Sequence, residues 1–198
     1  MSLFAETTPR ELLPYDGSAV LHEWVLGDRS HSDVLTRLVD RLEWEQRHLV
    51  MFGKEVAEPR LSAWYGDESY TYSGVTLRPR AMTPELDELK FVCETGSGAR
   101  FNSVLVNLYR NGDDSMGWHA DDEPELGPSP VIASLSLGVT RRFRFRHRRT
   151  REIVEHDLTG GSLLVMSGAC QSAWMHSVPK QKRITEARVN LTFRFIHS

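Results

Sequence analysis

Residues 188–195, Arg-Val-Asn-Leu-Thr-Phe-Arg-Phe, alternate polar and apolar side chains without a break. That is the period of a β-strand and of no helix. Val189, Leu191, Phe193 and Phe195 form one face, and Arg188, Asn190, Thr192 and Arg194 the other. Two arginines aimed one way, with no acid between them, read as a solvated sheet face or as an anion site. Arginine's planar fork suits the anion, because it grips a carboxylate bidentately. A second run that reads as a strand, Phe101–Tyr109, places Asn107 and Tyr109 on one face, where they can add neutral hydrogen bonds to the same anion, a dicarboxylate where both arginines serve it. From residue 101 onward short runs are separated by Gly112-Asp113, Gly127-Pro128, Gly138 and Gly160-Gly161. Many short strands in the C-terminal half predict a jelly roll.

Within this region lies His119-Ala-Asp121, followed 55 residues later by His176. Two histidines and one carboxylate hold a ferrous ion on one face and leave the other face open. Residues i and i+2 of a strand point the same way, so the spacing predicts that His119 and Asp121 reach one ion together. Alone the motif is weak, and the chain holds a second copy, His31-Ser-Asp33. That copy falls at the start of an expected amphipathic helix over 33–47, with Leu35, Leu38, Val39 and Leu42 on one side. Ser30 or Ser32 would cap it, and Asp33 belongs in its first turn for electrostatic reasons. Residues 1–30 show no clear period. Residues 48–80 read as strands with turns at Gly66-Asp67 and Ser73-Gly74, and Thr83-Pro84 opens a short helix.

The 198 residues suffice for one domain with a full core. No apolar stretch is long enough to span a bilayer and no charged-then-apolar leader is read, so the expected location is the cytoplasm, or the nucleus in a eukaryote. Cys93 and Cys170 are expected as free thiols. The net charge of −3 hides a segregation: residues 141–151 hold seven arginines and no acid, and removing those charges leaves −10 for the rest. Lys180, Lys182 and Arg183 follow His176. These basic groups read as a footprint for a polyanion, or as an edge strand kept soluble by charge. Trp118 is expected under the metal site or along its pocket, Trp174 as packing beside His176, and His147, His156 and His197 at the surface.

Taken together, Asn107-x-Tyr109, His119-x-Asp121-Asp122, His176 and Arg188-x-Asn190-x-Thr192-x-Arg194 resemble the AlkB-type 2-oxoglutarate and Fe(II)-dependent dioxygenases, from about Met51 to Phe195. Gly161–Ser167, Arg188–Arg194 and the segment from Phe52-Gly53-Lys54 to Tyr70-Thr71-Tyr72-Ser73-Gly74 are similar to the branch that repairs alkylated DNA in animals. The resemblance implies an α+β, mainly β chain: a double-stranded β-helix with helices packed on one sheet. It implies one catalytic domain over 1–198, divided into an N-terminal extension and helix (1–47), a nucleotide-recognition region (48–100) and a jelly-roll core with the metal site (101–198).

By the same resemblance, His119, Asp121 and His176 hold Fe(II) and are the catalytic centre. Asn107, Tyr109, Arg188, Asn190, Thr192 and Arg194 surround 2-oxoglutarate, with Arg188 and Tyr109 at its C5 carboxylate and Arg194 and Asn107 toward C1. Asp122 contacts the flipped base, Tyr72 stacks on it, and Met51 and Phe52 form an apolar wedge, with Gly53, Lys54 and Tyr70 beside them. The implied activity is oxidative demethylation of N-alkylated bases in nucleic acid, DNA first. It consumes O2 and 2-oxoglutarate, gives succinate, CO2 and formaldehyde, and uses ascorbate as reductant in vitro. A monomer without membrane contact is expected. Two alternatives stay open: an oxygenase of the same chemistry acting on RNA or protein, and a nucleic-acid-binding module with a vestigial metal site.

Overall fold

The computed structural model describes residues 8–51, 54–66, 70–72, 75–77 and 80–197, with backbone alone for 49–51, 54–55, 70–72 and 75–77. Strands β1 (Arg10–Glu11) and β2 (Ser18–His22) precede helix α1 (His31–Arg41). Hairpin strands β3 (His48–Met51) and β4 (Lys54–Ala57), strand β5 (Leu61–Gly66) and hairpin strands β6 (Tyr70–Tyr72) and β7 (Val75–Leu77) lead to helix α2 (Pro84–Ser97). Then come β8 (Ser103–Tyr109), β9 (Met116–His119), β10 (Ile132–Gly138), β11 (Arg141–His147), β12 (Ile153–Leu158) and β13 (Leu163–Ser167). One helical turn, α3 (Cys170–Ala173), joins β13 to β14 (Trp174–Val178), and β15 (Arg188–Arg194) ends the series.

Two antiparallel sheets face each other, as the jelly-roll expectation requires. The larger runs β1-β2-β13-β10-β15-β8-β5 and the smaller β12-β11-β14-β9. Alternation fixes what each face of the larger sheet meets. Val104, Val106, Leu135, Val189, Leu191 and Phe193 turn outward under α1 and α2, forming one core with Val34, Leu38, Leu86 and Leu89. Each such side chain, fully buried, contributes about 1.5–3 kcal/mol. The opposite face turns toward the smaller sheet, where Leu105, Ile132 and Leu164 meet Phe143, Phe145 and Trp174 in a second core. All seven residues of β15 are therefore buried, and its polar face points into the molecule. Phe195, read as the end of its apolar face, lies beyond the strand and is exposed.

Helix α1 is capped by Ser30, whose Oγ accepts from the Asp33 amide at 3.3 Å. It stops at Arg41, short of the expected 47, because Glu45 exchanges two backbone hydrogen bonds with Ser62 and is drawn to β5. Thr83 caps α2 with Pro84 in its first turn, and fourteen residues make it longer than expected. Residues 10–22, without a readable period, pair with β13 through β2. No described helix is long and apolar enough to cross a membrane.

Candidate metal and anion site

The site lies between the sheets, where β9 and β14 pair His119 with His176. The register slips next to this pair, with Val178 opposite Met116. This bulge lets Met116 and His119, three residues apart, both line the interior cavity. The His119 Nδ1–H donates to the Gly117 carbonyl at 2.9 Å, since a carbonyl only accepts. The Nε2 lone pair is thereby left for a metal. Phe143 stacks on His176 with ring centroids 5.4 Å apart.

Asp121 reaches the site by a route the sequence did not indicate. The strand ends at His119, so strand alternation does not place the carboxylate. Its Oδ1 accepts from Arg194 Nη2 at 2.7 Å, and its amide donates to Gln171 Oε1 at 2.9 Å. Ligand atoms of His119, Asp121 and His176 all lie within 4.8 Å of one another. Burial would raise the Asp121 pKa, but Arg194 and the two imidazoles override it and hold the carboxyl at about 2. Burial, helped by His119, pushes His176 down to about 3, and burial also lowers His119. The set is thus two neutral imidazoles and one carboxylate whose Oδ2 has no hydrogen-bond partner among the described residues. Such donors fit a divalent first-row ion.

The cavity beside them is walled by Asn107, Tyr109, Ser134, Asn190, Thr192 and Arg194. All four polar residues of β15 are buried. Asn190 donates to Ser134 Oγ at 2.8 Å, and Thr192 donates to Asn190 Oδ1 at 3.3 Å. Arg188 is not among the residues lining the cavity. It donates to Ser136 Oγ at 2.9 Å and faces the Tyr109 ring at 5.4 Å. Its Nε and Nη1 are buried and have no hydrogen-bond partner among the described residues. Burial lowers its pKa to about 10, against the pull of the Tyr109 hydroxyl. A buried cation with unsatisfied donors is costly unless an anion completes it, so this end of the site fits a carboxylate.

Four contributors were not foreseen. Arg60, 4% exposed, donates to Asn107 Oδ1 at 2.8 Å and pairs with buried Glu58 at 3.0 Å. Nothing in the sequence around Pro59-Arg60 signals that contact. Ser134 and Ser136 hold Asn190 and Arg188, and the run Ser-Leu-Ser-Leu over 134–137 could have shown them to share a face. Gln171 left no signal.

The expected substrate contacts are less fully described. Asp122 is exposed and pairs with Arg148 at 2.6 Å. Met51 and Lys54 face each other across the β3–β4 hairpin, and Tyr70 and Tyr72 lie in β6. Phe52 and Gly53 lie outside the described residues. Trp118 does not underlie the metal site: Arg146 and Arg144 lie over its ring at 4.4 and 5.5 Å. His147 is not at the surface but 2% exposed, accepting from the Thr150 amide and facing Asp16 at 3.2 Å. Its place on the inward face of β11, between Tyr15 and Trp174, buries it. Cys93 and Cys170 are buried free thiols.

The model of the 2OG-Fe(II) oxygenase superfamily matches residues 17–194. Over 174 residues, 83% of this chain, the sequence is 44% identical to the human alpha-ketoglutarate-dependent dioxygenase alkB homolog 3. It is 47% identical over 157 residues, 74% of the chain, to the mouse DNA oxidative demethylase ALKBH2. The matches span 61% and 65% of those relatives, so the chain covers just under two thirds of their length. The solved structure of OsALKBH1 superposes with a TM-score of 0.68 at 16% identity, covering 94% of this chain and all of that one, and so shares the fold. With the family's donor set assembled in that fold, the chain belongs to the 2OG-Fe(II) oxygenase superfamily, as an AlkB-type member.

Proposed function

We propose that the protein is a dioxygenase that removes N-alkyl groups from bases of nucleic acid, DNA first, and so repairs alkylation damage. The observation that carries this reading is the convergence of two neutral imidazoles and an aspartate with a free carboxylate oxygen on one cavity, with a buried arginine of unused donors against the ring of Tyr109 in that cavity's wall. In this reading His119, Asp121 and His176 hold Fe(II). Bound Fe(II) with O2 and 2-oxoglutarate supplies the oxidation, in which 2-oxoglutarate becomes succinate and CO2 and an N-methyl group leaves as formaldehyde. Arg188 and Tyr109 take the C5 carboxylate. Arg194 and Asn107 lie toward C1, and Asn190 and Thr192 shape the wall between. The names borne by the human and mouse relatives support the reaction class, and that of the mouse relative supports DNA.

For the substrate, Asp122 meets the alkylated base, whose positive charge in 1-methyladenine or 3-methylcytosine favours a carboxylate. Tyr72 stacks on the base, and Met51 and Phe52 fill the gap it leaves, with Gly53, Lys54 and Tyr70 completing a recognition region within 48–100. The protein acts as a monomer in the cytoplasm, or the nucleus of a eukaryote. Incubation with methylated DNA and RNA oligonucleotides, Fe(II), ascorbate and 2-oxoglutarate, read by mass spectrometry, tests this. Loss of 14 mass units per methyl with matching succinate is expected on DNA; loss on RNA alone would reassign the substrate. Asp121→Ala should abolish the reaction and His31→Ala should not.

A further inference from the structure

Asp121 is the one member of the triad outside a strand. Its carboxylate is oriented by Arg194, but a side-chain contact does not fix the main chain that carries it. That task falls to Gln171, 2% exposed, whose Oε1 takes the Asp121 amide from 50 residues away. The Gln171 amide is itself held, with Nε2 donating to Met166 Sδ at 3.5 Å in β13. Its main-chain carbonyl accepts from Arg148 Nη2 at 3.4 Å, and the same nitrogen grips Asp122. The Asp121 amide thus hangs from Gln171 itself, and Arg148 links the Asp122 carboxylate to the Gln171 carbonyl. Gln171 belongs to α3, which runs directly into β14 and His176.

We propose that Gln171 is a positioning residue of the metal site, which fixes the main chain of Asp121 relative to His176. This rests on reading the triad as metal ligands. Groups that orient a ligand from behind typically change metal affinity by about 10–100-fold when removed. Here the orienting bond is to the ligand's backbone, so its loss lets the carboxylate drift while Arg194 still holds Oδ1.

The test uses the full chain and Co(II) as the probe, followed by its visible absorption. Gln171→Met keeps the volume but has no oxygen to accept the amide. Its Co(II) affinity should fall about 10–100-fold with a changed band envelope, while the metal-free chain still folds, with a melting temperature lower by about 2–12 °C for the unsatisfied amide. Gln171→Asn keeps the amide but is one methylene short, and should lose affinity by a smaller factor. It decides the matter if the methionine variant does not fold. Ser172→Ala, in the same helical turn, should bind Co(II) as the native chain does. Native affinity and spectrum in a folded Gln171 variant overturns the inference. If Asp121→Ala meanwhile abolishes Co(II) binding, the triad stands without Gln171; if Asp121→Ala binds normally, the triad itself falls and the inference with it.

Discussion

Two strands of this chain, Arg141–His147 and Arg188–Arg194, alternate arginine with apolar residues, and the fold uses them in opposite ways. In the second, the apolar face packs under the helices and the arginines turn inward. In the first, Phe143 and Phe145 turn inward and Arg142, Arg144 and Arg146 outward. The outward arginines stand opposite an acidic strand: Arg142 faces Asp157 and Arg144 faces Glu155 in register, and ion pairs form at 3.1 and 2.6 Å. Arg148 and Arg149 pair with Asp122 and Asp16. The arginine run at 141–151, read as a polyanion footprint or a charged edge strand, is therefore largely neutralised by its neighbours. Inside, Arg194 is held by the buried Asp121 and Arg188 by Ser136; outside, the arginines are held by acids of the surface.

The largest effect should follow from breaking the inner set. Arg194 and Asp121 are 3% and 1% exposed at their side chains. Removing one partner of such a pair leaves an unpaired buried charge, which costs about 3–5 kcal/mol. Arg194→Met should lower stability by that order in urea denaturation and abolish turnover, because the carboxylate loses both its low pKa and its orientation. A variant as stable as the native chain would show that the inner arginines matter no more than the outer ones.

Arg188→Lys is the second. It keeps the charge and loses the fork, together with the spare Nε and Nη1 donors. A charge-assisted hydrogen bond is worth about 1.5–3 kcal/mol, so KM for 2-oxoglutarate should rise roughly tenfold to over a hundredfold. An unchanged KM would remove Arg188 from the carboxylate end.

These contrasts mark what was legible beforehand. Alternation and turn residues announced the strands, and the serines at 30 and 32 and Thr83-Pro84 announced the starts of α1 and α2, because each is a local preference; the single turn α3 has no side-chain cap to announce it. The donors His119, Asp121 and His176, which the fold brings within 4.8 Å of one another, were readable because donor chemistry is carried by residue identity. The inward face of the 141–147 run was also legible, because two aromatics against three arginines bury the aromatics; that of the 188–194 run was not, since period 2 alone is the same either way and the packed partners decide it. Nor were Arg60 and Gln171, whose contacts span 47 and 50 residues and depend on the packed fold alone. Strand β1 has two residues and is held by a device without periodicity: the Glu11 carboxylate accepts from the amides of Leu12, Leu13 and Ala19.

The outer strand's one inward arginine, Arg141, bears on the third prediction through Asp114. It donates to the carbonyls of Asn111, Asp114 and Pro179 and so braces the loop before β9. In that loop burial would raise the Asp114 pKa, but the Arg110 side chain and amide, with Arg141, bring it below the usual value. The folded pKa lies under the unfolded value of about 3.9. The stabilisation is therefore complete well above pH 4 and disappears as pH falls through the folded value. Arg110 is half exposed, so the contribution is about 1–2 kcal/mol. Asp114→Asn should melt lower than the native chain at pH 7, with the two converging in acid. A constant gap down to pH 2 would assign the loss to packing instead.

The smallest effect separates paired from unpaired surface charge. Lys180, Lys182 and Arg183 are exposed and make no ion pair among the described residues, whereas Arg142 is shared between Asp157 and Glu155. A phosphate contact releases counterions, and each one lost lowers the slope of log affinity against log salt by about 0.9 on duplex DNA. Replacing Lys182 and Arg183 together by alanine should reduce that slope, and should weaken binding to the same degree for unrelated sequences, because phosphates carry no sequence information. Arg142→Ala should leave the slope where it was, because in the folded protein its charge is already matched and a phosphate must compete with two carboxylates. Oligonucleotide titrations at several salt concentrations measure both. If the Arg142 variant shifts the slope and the double variant does not, the neutralised strand is the phosphate-binding one, and the contrast between inner and outer arginines reduces to which anion each awaits.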